Sequence, residues 1–178
     1  MIKTLILSAA SAFFLLSAPS ATAGHHEKGE AENHIHSAKK SIEKAVSNNV
    51  LRSERDMERD QYRNPVATLD FFGVQPNMTV AELGPSSGWY TRILAPLTVE
   101  NGKYIALNNS PTPGERYERG MQWRETFIEH ESGMFGHNAS ARFIGQTVPF
   151  AAPNSVDTVL IFRGMHGQIG RGDVNGLL

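Results

Sequence analysis

The chain has 178 residues, of which 20% are charged and 40% hydrophobic, and its formal net charge is −1. This length corresponds to about one domain, and the nearly neutral balance lacks the basic field that nucleic-acid binding needs, so no nucleic-acid partner is predicted. There is no cysteine, which excludes disulfides, thiolate metal sites and a cysteine nucleophile.

Residues 1–23 are predicted to form a signal peptide. Lys3 precedes an apolar run from Leu5 to Leu16, and Ala21-Thr22-Ala23 provides small residues for cleavage after Ala23. The run is short for a membrane span, although an uncleaved anchor is the alternative. We therefore expect a periplasmic or secreted bacterial protein with no stable membrane span after signal cleavage. A cysteine-free chain fits the periplasm, where disulfides are permitted but not required.

Residues 24–63 are predicted to form a polar arm followed by amphipathic helices. The arm ends near His36, and from Ile35 onward apolar residues recur at helical spacing up to Val50. Arginines then alternate with acidic residues from Arg52 to Arg63. This second pattern favours a solvated helix with neighbouring ion pairs. The alternative is that one or two of the arginines fold over a ligand site.

Residues 64–178 are predicted to form an α/β domain. Asn64-Pro65 indicates a helix start and Gly73 its end, with Val66, Leu69, Phe71 and Phe72 as the buried face. Later strands and helices alternate, which predicts a parallel sheet. The predicted strands are Val80 to Leu83, Lys103 to Leu107, Ala141 to Gly145 and Val156 to Phe162. The predicted helices are Gly88 to Leu97 and Glu115 to Glu131.

The end of this domain carries two further expectations. The fourth strand is apolar almost throughout, as is typical of a strand that is covered on both faces. A glycine-rich run from Gly167 to Leu178 lies where the next helix is expected. A sheet that stopped there would leave an open edge. We therefore expect a domain that is truncated after the fourth strand, with its carboxyl-terminal part missing.

The turn between the first strand and its helix has the composition of a ligand cradle. It consists of Gly84, Pro85, Ser86, Ser87 and Gly88. Unpaired N–H groups and the positive dipole end of a helix face the space above such a turn, and glycine lets a ligand approach the backbone. A nucleotide or adenosyl group is the expected guest.

Several stretches of the chain resemble a family of predicted class I S-adenosylmethionine-dependent methyltransferases, many of which carry an export signal. They are Arg63-Asn-Pro65, Leu69-Asp-Phe-Phe-Gly73, Ala81-Glu-Leu-Gly-Pro-Ser-Ser-Gly-Trp-Tyr-Thr91, Leu94-Ala-Pro96 and Val156-Asp-Thr-Val-Leu-Ile-Phe-Arg163. The resemblance implies a Rossmann-like methyltransferase fold with a mostly parallel sheet and flanking helices. It also implies S-adenosylmethionine as the cofactor and a small-molecule or unknown acceptor.

By this resemblance, Glu82 lies on the methionine side of the cofactor and Gly84 to Gly88 line the adenosyl group. Asn108 stands where the family pattern has an acidic residue that accepts the ribose hydroxyls. An amide in place of a carboxylate weakens such a contact by about 1 to 2 kcal/mol. No catalytic residue is assigned, because methyl transfer from a sulfonium needs alignment more than acid–base help.

Other functions fit parts of the same pattern. A serine hydrolase would use Ser86 in the Gly84-Pro-Ser86-Ser-Gly88 elbow, with Asp157 and His166 downstream. It is disfavoured because the preceding sequence predicts helices instead of earlier strands and an oxyanion loop. Dinucleotide binding is disfavoured because Ser86 replaces the second glycine of its fingerprint. A secreted, non-catalytic binding module that retains the scaffold is the main alternative, and both Asn108 and export favour it.

A few aromatic and polar residues remain after these assignments. Trp89 and Tyr90 are predicted to pack in the core rather than stack on an adenine. Gln146 is a candidate hydrogen-bond partner for an adenine edge, and His166 a candidate for lining an acceptor pocket. No metal site is predicted, because the amino-terminal histidines lie in a polar arm without carboxylates in ligand geometry. These histidines are His25, His26, His34 and His36.

Overall fold

The computed structural model describes residues 37–109, 138–144 and 151–171, together with positions 118, 121, 122 and 149. The predicted signal peptide, the polar arm and Gln146 lie outside the described residues, as does most of the helix predicted from Glu115 to Glu131. No helix of the described part is long and apolar enough to cross a membrane.

Four parallel strands form one sheet. They are β1 (Thr79–Leu83), β2 (Lys103–Asn109), β3 (Ala139–Ile144) and β4 (Thr158–Leu160). Their order across the sheet is β3-β2-β1-β4, and Glu82 of β1 is in register with Ala106 of β2 and Leu160 of β4. This confirms the predicted Rossmann-like α/β fold with a parallel sheet and flanking helices. The order reverses between β1 and β4, which is the switch point of such a sheet.

Helices flank the sheet, and six of them lie within the described ranges 37–109 and 151–171. They are α1 (37–46), α2 (Glu54–Met57), α3 (Asp60–Arg63), α4 (Pro65–Phe71), α5 (Thr91–Thr98) and α6 (Met165–Arg171). Helix α1 buries Ile42 and Ala45 as its pattern predicts, but Val50 is 84% exposed. The side chain of Asn48 accepts the amide hydrogens of Val50 and Leu51. This turn separates Val50 from the helix, so its predicted burial is wrong.

The segment from Arg52 to Arg63 is not one solvated helix. It forms the two short helices α2 and α3, and Arg52 is almost fully buried. The Arg52 guanidinium forms an ion pair with Asp60 at 2.5 Å. Asp56 forms a second ion pair with Arg92 of α5 at 2.8 Å. The prediction was wrong because Asp60 lies eight residues from Arg52 and Arg92 lies 36 residues from Asp56, so neither partner is one helical turn away.

Helix α4 begins and ends where the sequence predicts, but its buried face differs. The amides of Gly73 and Val74 bond to the last carbonyl groups, with Gly73 in the left-handed region at φ 66°. Leu69 is fully buried, whereas Phe71 and Phe72 are 84% and 52% exposed. At about 100° per residue, Phe71 lies roughly on the opposite side of the helix from Leu69. The predicted burial of both phenylalanines is therefore wrong.

The main core lies between the sheet and helices α1, α4 and α5. Ile93, Leu94 and Leu97 form the inward side of α5, as predicted. The other face of the sheet carries a smaller apolar cluster around Leu83 and Leu107.

Strand β4 is shorter than its apolar run predicts. It has three residues, and Val159 is 45% exposed. The expectation that this strand is covered on both faces is therefore wrong at Val159, which lines an open cavity. Helix α6 follows β4 and extends into the first part of the glycine-rich run.

Candidate functional site

A cleft of about 390 Å³ lies beyond the carboxyl ends of β1 and β4. We call it the switch-point cleft, because the strand order reverses between these two strands. Open α/β sheets bind their ligands in this place, and the volume lies within the range of small-molecule sites. Its walls are Arg59, Arg63, Glu82, residues 84–87, residues 89–90 and residues 162–164.

Glu82 is the buried carboxylate of the cleft, with only 3% of its surface exposed. The hydroxyl groups of Tyr104 and Thr91 donate to its Oε2 atom at 2.5 and 3.0 Å. Both bonds converge on one oxygen, and Oε1 has no partner among the described residues. Burial raises the pKa of Glu82 from 4.5 to about 7, although the bonds from Tyr104 and Thr91 act in the opposite direction.

The turn after β1 contains amides that bond to no acceptor in the described part of the chain. The Gly84 amide donates to the carbonyl of Leu107 in β2, and the Gly88 amide donates to the carbonyl of Pro85, each at 2.8 Å. The prediction that the amides of the whole turn are free is therefore wrong for both glycines. Ser86 and Ser87 are exposed, and within the described chain no acceptor bonds to their amides. Among the amides of the turn that have no acceptor in the described ranges, those of Ser86 and Ser87 belong to exposed residues and are therefore available to a ligand.

Gly84 gives the cleft its open floor. It has a φ of 69°, and a Cβ added there would meet no heavy atom within 4 Å. The space above this backbone is therefore open to a ligand, as a nucleoside cradle requires. Gly88 differs, since an added Cβ would lie 3.1 Å from the Arg92 guanidinium. Gly88 is buried and does not line the cleft.

Asn108 does not line the cleft either. It occupies the next-to-last position of β2, and its Oδ1 accepts the amide hydrogen of Asn109 at 3.1 Å. Its position follows Ala106, the register partner of Glu82, by two residues. Asn108 therefore lies on the same face of the sheet as Glu82, roughly 7 Å further along the strand direction. The structure brings Glu82, Gly84, Pro85, Ser86 and Ser87 together and leaves Asn108 beside them.

The two aromatic residues after the turn are packed into the fold. Trp89 and Tyr90 are only 3% and 6% exposed. The Trp89 indole donates to the backbone carbonyl of Asp56 at 2.9 Å, and the Tyr90 ring stacks on Phe162 with centroids 3.5 Å apart. This confirms the prediction of core packing, although both residues also form part of the cleft wall.

Arginines form the remaining wall, and sequence reasoning identified them only in part. Arg59 and Arg63 come from the amino-terminal helices, so the alternative in which arginines fold over a ligand site describes them better than a solvated helix does. The Arg63 guanidinium lies 4.5 Å from the centroid of the Trp89 ring. Arg163, which follows β4 with a φ of 60°, was not predicted as a site residue. The sequence feature that could have identified Arg163 is its position directly after an apolar strand, where a charged side chain lies at the ligand-binding edge of a parallel sheet.

The hydrolase arrangement is incomplete. Ser86 does have a left-handed φ of 54°, as a strained nucleophile elbow would. However, no described side chain hydrogen-bonds to its hydroxyl. Asp157 instead accepts the Thr79 amide at 2.7 Å, and His166 is exposed and outside the cleft wall. In the described ranges no group of three His, Asp or Glu residues is arranged to hold a metal ion.

The sheet order and the cleft thus define a Rossmann-like α/β protein with a ligand-sized crevice at its switch point. No protein-family model matches the chain, and no curated protein matches it. Among solved structures, the chain is similar to the crystal structure of a SAM dependent methyltransferase from Aquifex aeolicus, with 19% identity and a TM-score of 0.46. The match covers 72% of this chain and 58% of that chain, less than two thirds of its length. So remote a likeness assigns no activity.

Proposed function

We propose that this protein binds S-adenosylmethionine in the switch-point cleft and transfers its methyl group to an acceptor. One observation carries the proposal. Glu82 is a buried carboxylate that lines the same cavity as Ser86 and Ser87, and its Oε1 atom and the two serine amides have no partner among the described residues. A zwitterionic amino-acid group joined to a nucleoside needs acceptors and donors side by side, together with backbone that allows close approach.

Each residue has a role in this proposal. The Oε1 atom of Glu82 accepts from the cofactor's ammonium group, directly or through water, and the amides of Ser86 and Ser87 donate to its polar atoms. Gly84 admits the nucleoside, because its Cα carries no side chain. Asn108, near the end of β2, contacts the ribose hydroxyls in this proposal.

The chemistry asks little of the protein beyond position. S-adenosylmethionine, when bound, supplies a methyl group already activated by a sulfonium. The chain has to align an acceptor with that group and keep water away. The buried rings of Trp89 and Tyr90 close the inner wall against solvent. No residue is assigned as an acid or a base.

The proposal includes export. The signal peptide predicted at residues 1–23 would deliver a mature chain that begins at Gly24. Mass spectrometry of the periplasmic fraction of a bacterium that expresses the full chain is the test. A mature amino terminus at Gly24 supports export, whereas an intact chain confined to the cytoplasm contradicts it.

A non-catalytic module with the same scaffold is the second candidate. The observation that favours it is Asn108, an amide where the family resemblance has a carboxylate, placed outside the cleft wall. A module that has lost the cofactor gives no heat when S-adenosylmethionine is titrated into it. One titration therefore separates the two candidates.

The experiment is calorimetry of S-adenosylmethionine with the wild type, Gly84→Ala and Gly73→Ala. Gly73 is a matched control, because its φ of 66° is close to that of Gly84 and an added Cβ would also meet nothing within 4 Å. Both variants therefore carry similar backbone strain, of about 1 kcal/mol. We expect wild-type binding to weaken at least about tenfold in Gly84→Ala and to persist in Gly73→Ala. No binding by the wild type, or equal losses in both variants, would contradict the proposal.

A further inference from the structure

Three arginines around the switch-point cleft lack an acidic partner. They are Arg59, Arg63 and Arg163, and none forms an ion pair within the described ranges. Two carboxylates of the same segment as Arg59 and Arg63 are already engaged. Asp56 accepts from Nε and Nη2 of Arg92 at 2.8 and 3.1 Å, and Asp60 accepts from both terminal nitrogens of Arg52.

These three cations are close enough to influence one another. The pKa of Arg63 is lowered, first by burial and then by the charge of Arg59, with a further contribution from Arg163, whereas Tyr90 and Asp56 act in the opposite direction. Arginine nevertheless stays protonated at neutral pH. Arg63 is also held in place, since its guanidinium covers the Trp89 ring. Three guanidinium groups, with Glu82 as the one carboxylate in the described lining, give this cleft a positive local potential.

The same arginines border a second cavity, of about 780 Å³, beside the switch-point cleft. Arg59, Arg63 and Arg163 line both cavities, so they stand at the boundary between them. The walls of the second cavity are largely apolar, and several of its side chains are exposed to a degree unusual for their type. They are Tyr62 at 80%, Phe72 at 52%, Val159 at 45% and Met165 at 45%.

We propose that the arginine cluster binds the anionic group of the methyl acceptor, and that the acceptor is an acidic small molecule with an apolar body. The anionic group is a carboxylate or a phosphate, which guanidinium groups recognise by paired hydrogen bonds. The apolar body lies along the second cavity. This inference rests on the proposed function, because it places the acceptor beside the cofactor cleft.

Charge balance assigns the arginines to the acceptor rather than to the cofactor. S-adenosylmethionine carries one carboxylate, together with an ammonium and a sulfonium, so it adds net positive charge to the cleft. It cannot neutralise three guanidinium groups, and the single carboxylate of Glu82 is buried against Tyr104 and Thr91. A second, negatively charged ligand is therefore required for electrostatic complementarity.

The test uses phenyl phosphate as the probe and benzyl alcohol as its uncharged counterpart. Binding to the full chain is measured by calorimetry, with and without saturating S-adenosylhomocysteine. The variants are Arg63→Gln and Arg163→Gln. Arg55→Gln is the control, because Arg55 is exposed in the same amino-terminal segment and lines neither cavity.

We expect phenyl phosphate to bind with and without S-adenosylhomocysteine, with dissociation constants that differ by no more than about threefold. Benzyl alcohol should bind much more weakly. Loss of one charge-assisted contact should weaken the probe about tenfold in Arg63→Gln and Arg163→Gln, with no change in Arg55→Gln. Added salt should weaken it further.

Two results would overturn the inference. One is phenyl phosphate binding no better than benzyl alcohol. The other is displacement of phenyl phosphate by S-adenosylhomocysteine, which would show that the arginines bind the carboxylate of the cofactor. Absence of S-adenosylhomocysteine binding is a separate result, because it refutes the proposed function and the acceptor role with it. If the wild type binds S-adenosylhomocysteine but not phenyl phosphate, only the arginine site is refuted and the proposed function stands.

Discussion

Replacement of Glu82 by glutamine should stabilise the protein at alkaline pH while weakening cofactor binding. Burial raises the pKa of Glu82 from 4.5 to about 7. Between these two values the folded chain binds a proton that the unfolded chain has released. Stability therefore falls as the pH rises through this window, and the cost above pH 7 is about 3 kcal/mol. Glutamine carries no charge, so this cost is absent in Glu82→Gln.

The amide also preserves the local contacts. Its oxygen accepts the hydrogen bonds that Tyr104 and Thr91 now donate to Oε2. We therefore expect the wild type and Glu82→Gln to unfold with similar free energies at pH 5, and the variant to be more stable by about 3 kcal/mol at pH 8. S-adenosylmethionine binding should weaken in the variant, because the cofactor's ammonium loses its charged acceptor.

Urea unfolding of both proteins at pH 5 and pH 8 is the assay. Glu43→Gln is the control, since Glu43 is exposed on α1 and the variant carries the same substitution outside the core. The difference between the wild type and Glu82→Gln is the informative quantity, because other titrating groups contribute equally to both proteins. A difference that stays constant from pH 5 to pH 8 would refute the reasoning.

Two further predictions concern the scaffold. Asp60→Asn should lower the free energy of unfolding by about 3 kcal/mol, because it leaves the buried guanidinium of Arg52 without a charged partner; urea unfolding measures this, and a loss below about 1 kcal/mol, as for a surface ion pair, would contradict it. Gly102→Ala should destabilise the fold more than Gly73→Ala, because its Cβ would lie 2.3 and 2.6 Å from two backbone carbonyl oxygens. Thermal melting of the two variants compares them, and equal melting temperatures would show that the chain relaxes around the added methyl group.

The sequence predicted the sheet because its signals are local. Strand β1 ends at the glycine-bracketed turn, and the inward side of α5 follows helical spacing, so burial of Ile93 and Leu94 could be deduced from periodicity. The same reasoning failed for Phe71 and Phe72, where apolar residues occur on an exposed helix face. When apolar residues occur on several faces of a helix, their apolar character alone does not show which face packs against the core.

The site was predictable where backbone conformation defines it. Gly84 and the serines of the turn follow from the need for an open, left-handed bend after a strand. The arginine wall was less predictable, because Arg163 reaches the cleft from the other side of the switch point. Asp56 and Asp60 pair with Arg92 and Arg52 instead of with Arg59 or Arg63, and Asp56 and Arg92 are 36 residues apart. Charge alternation along the chain contains no information about such partners.

The amides of Ser86 and Ser87 give the most direct test of the account, because the proposed cofactor site depends on their being free. Backbone amide NMR spectra of the ¹⁵N-labelled protein are recorded while S-adenosylmethionine is added, with the amide of Gly73 as a remote reference. We expect the Ser86 and Ser87 resonances to shift in a saturable way while that of Gly73 does not move. Resonances of Ser86 and Ser87 that remain in place at saturating S-adenosylmethionine would contradict it.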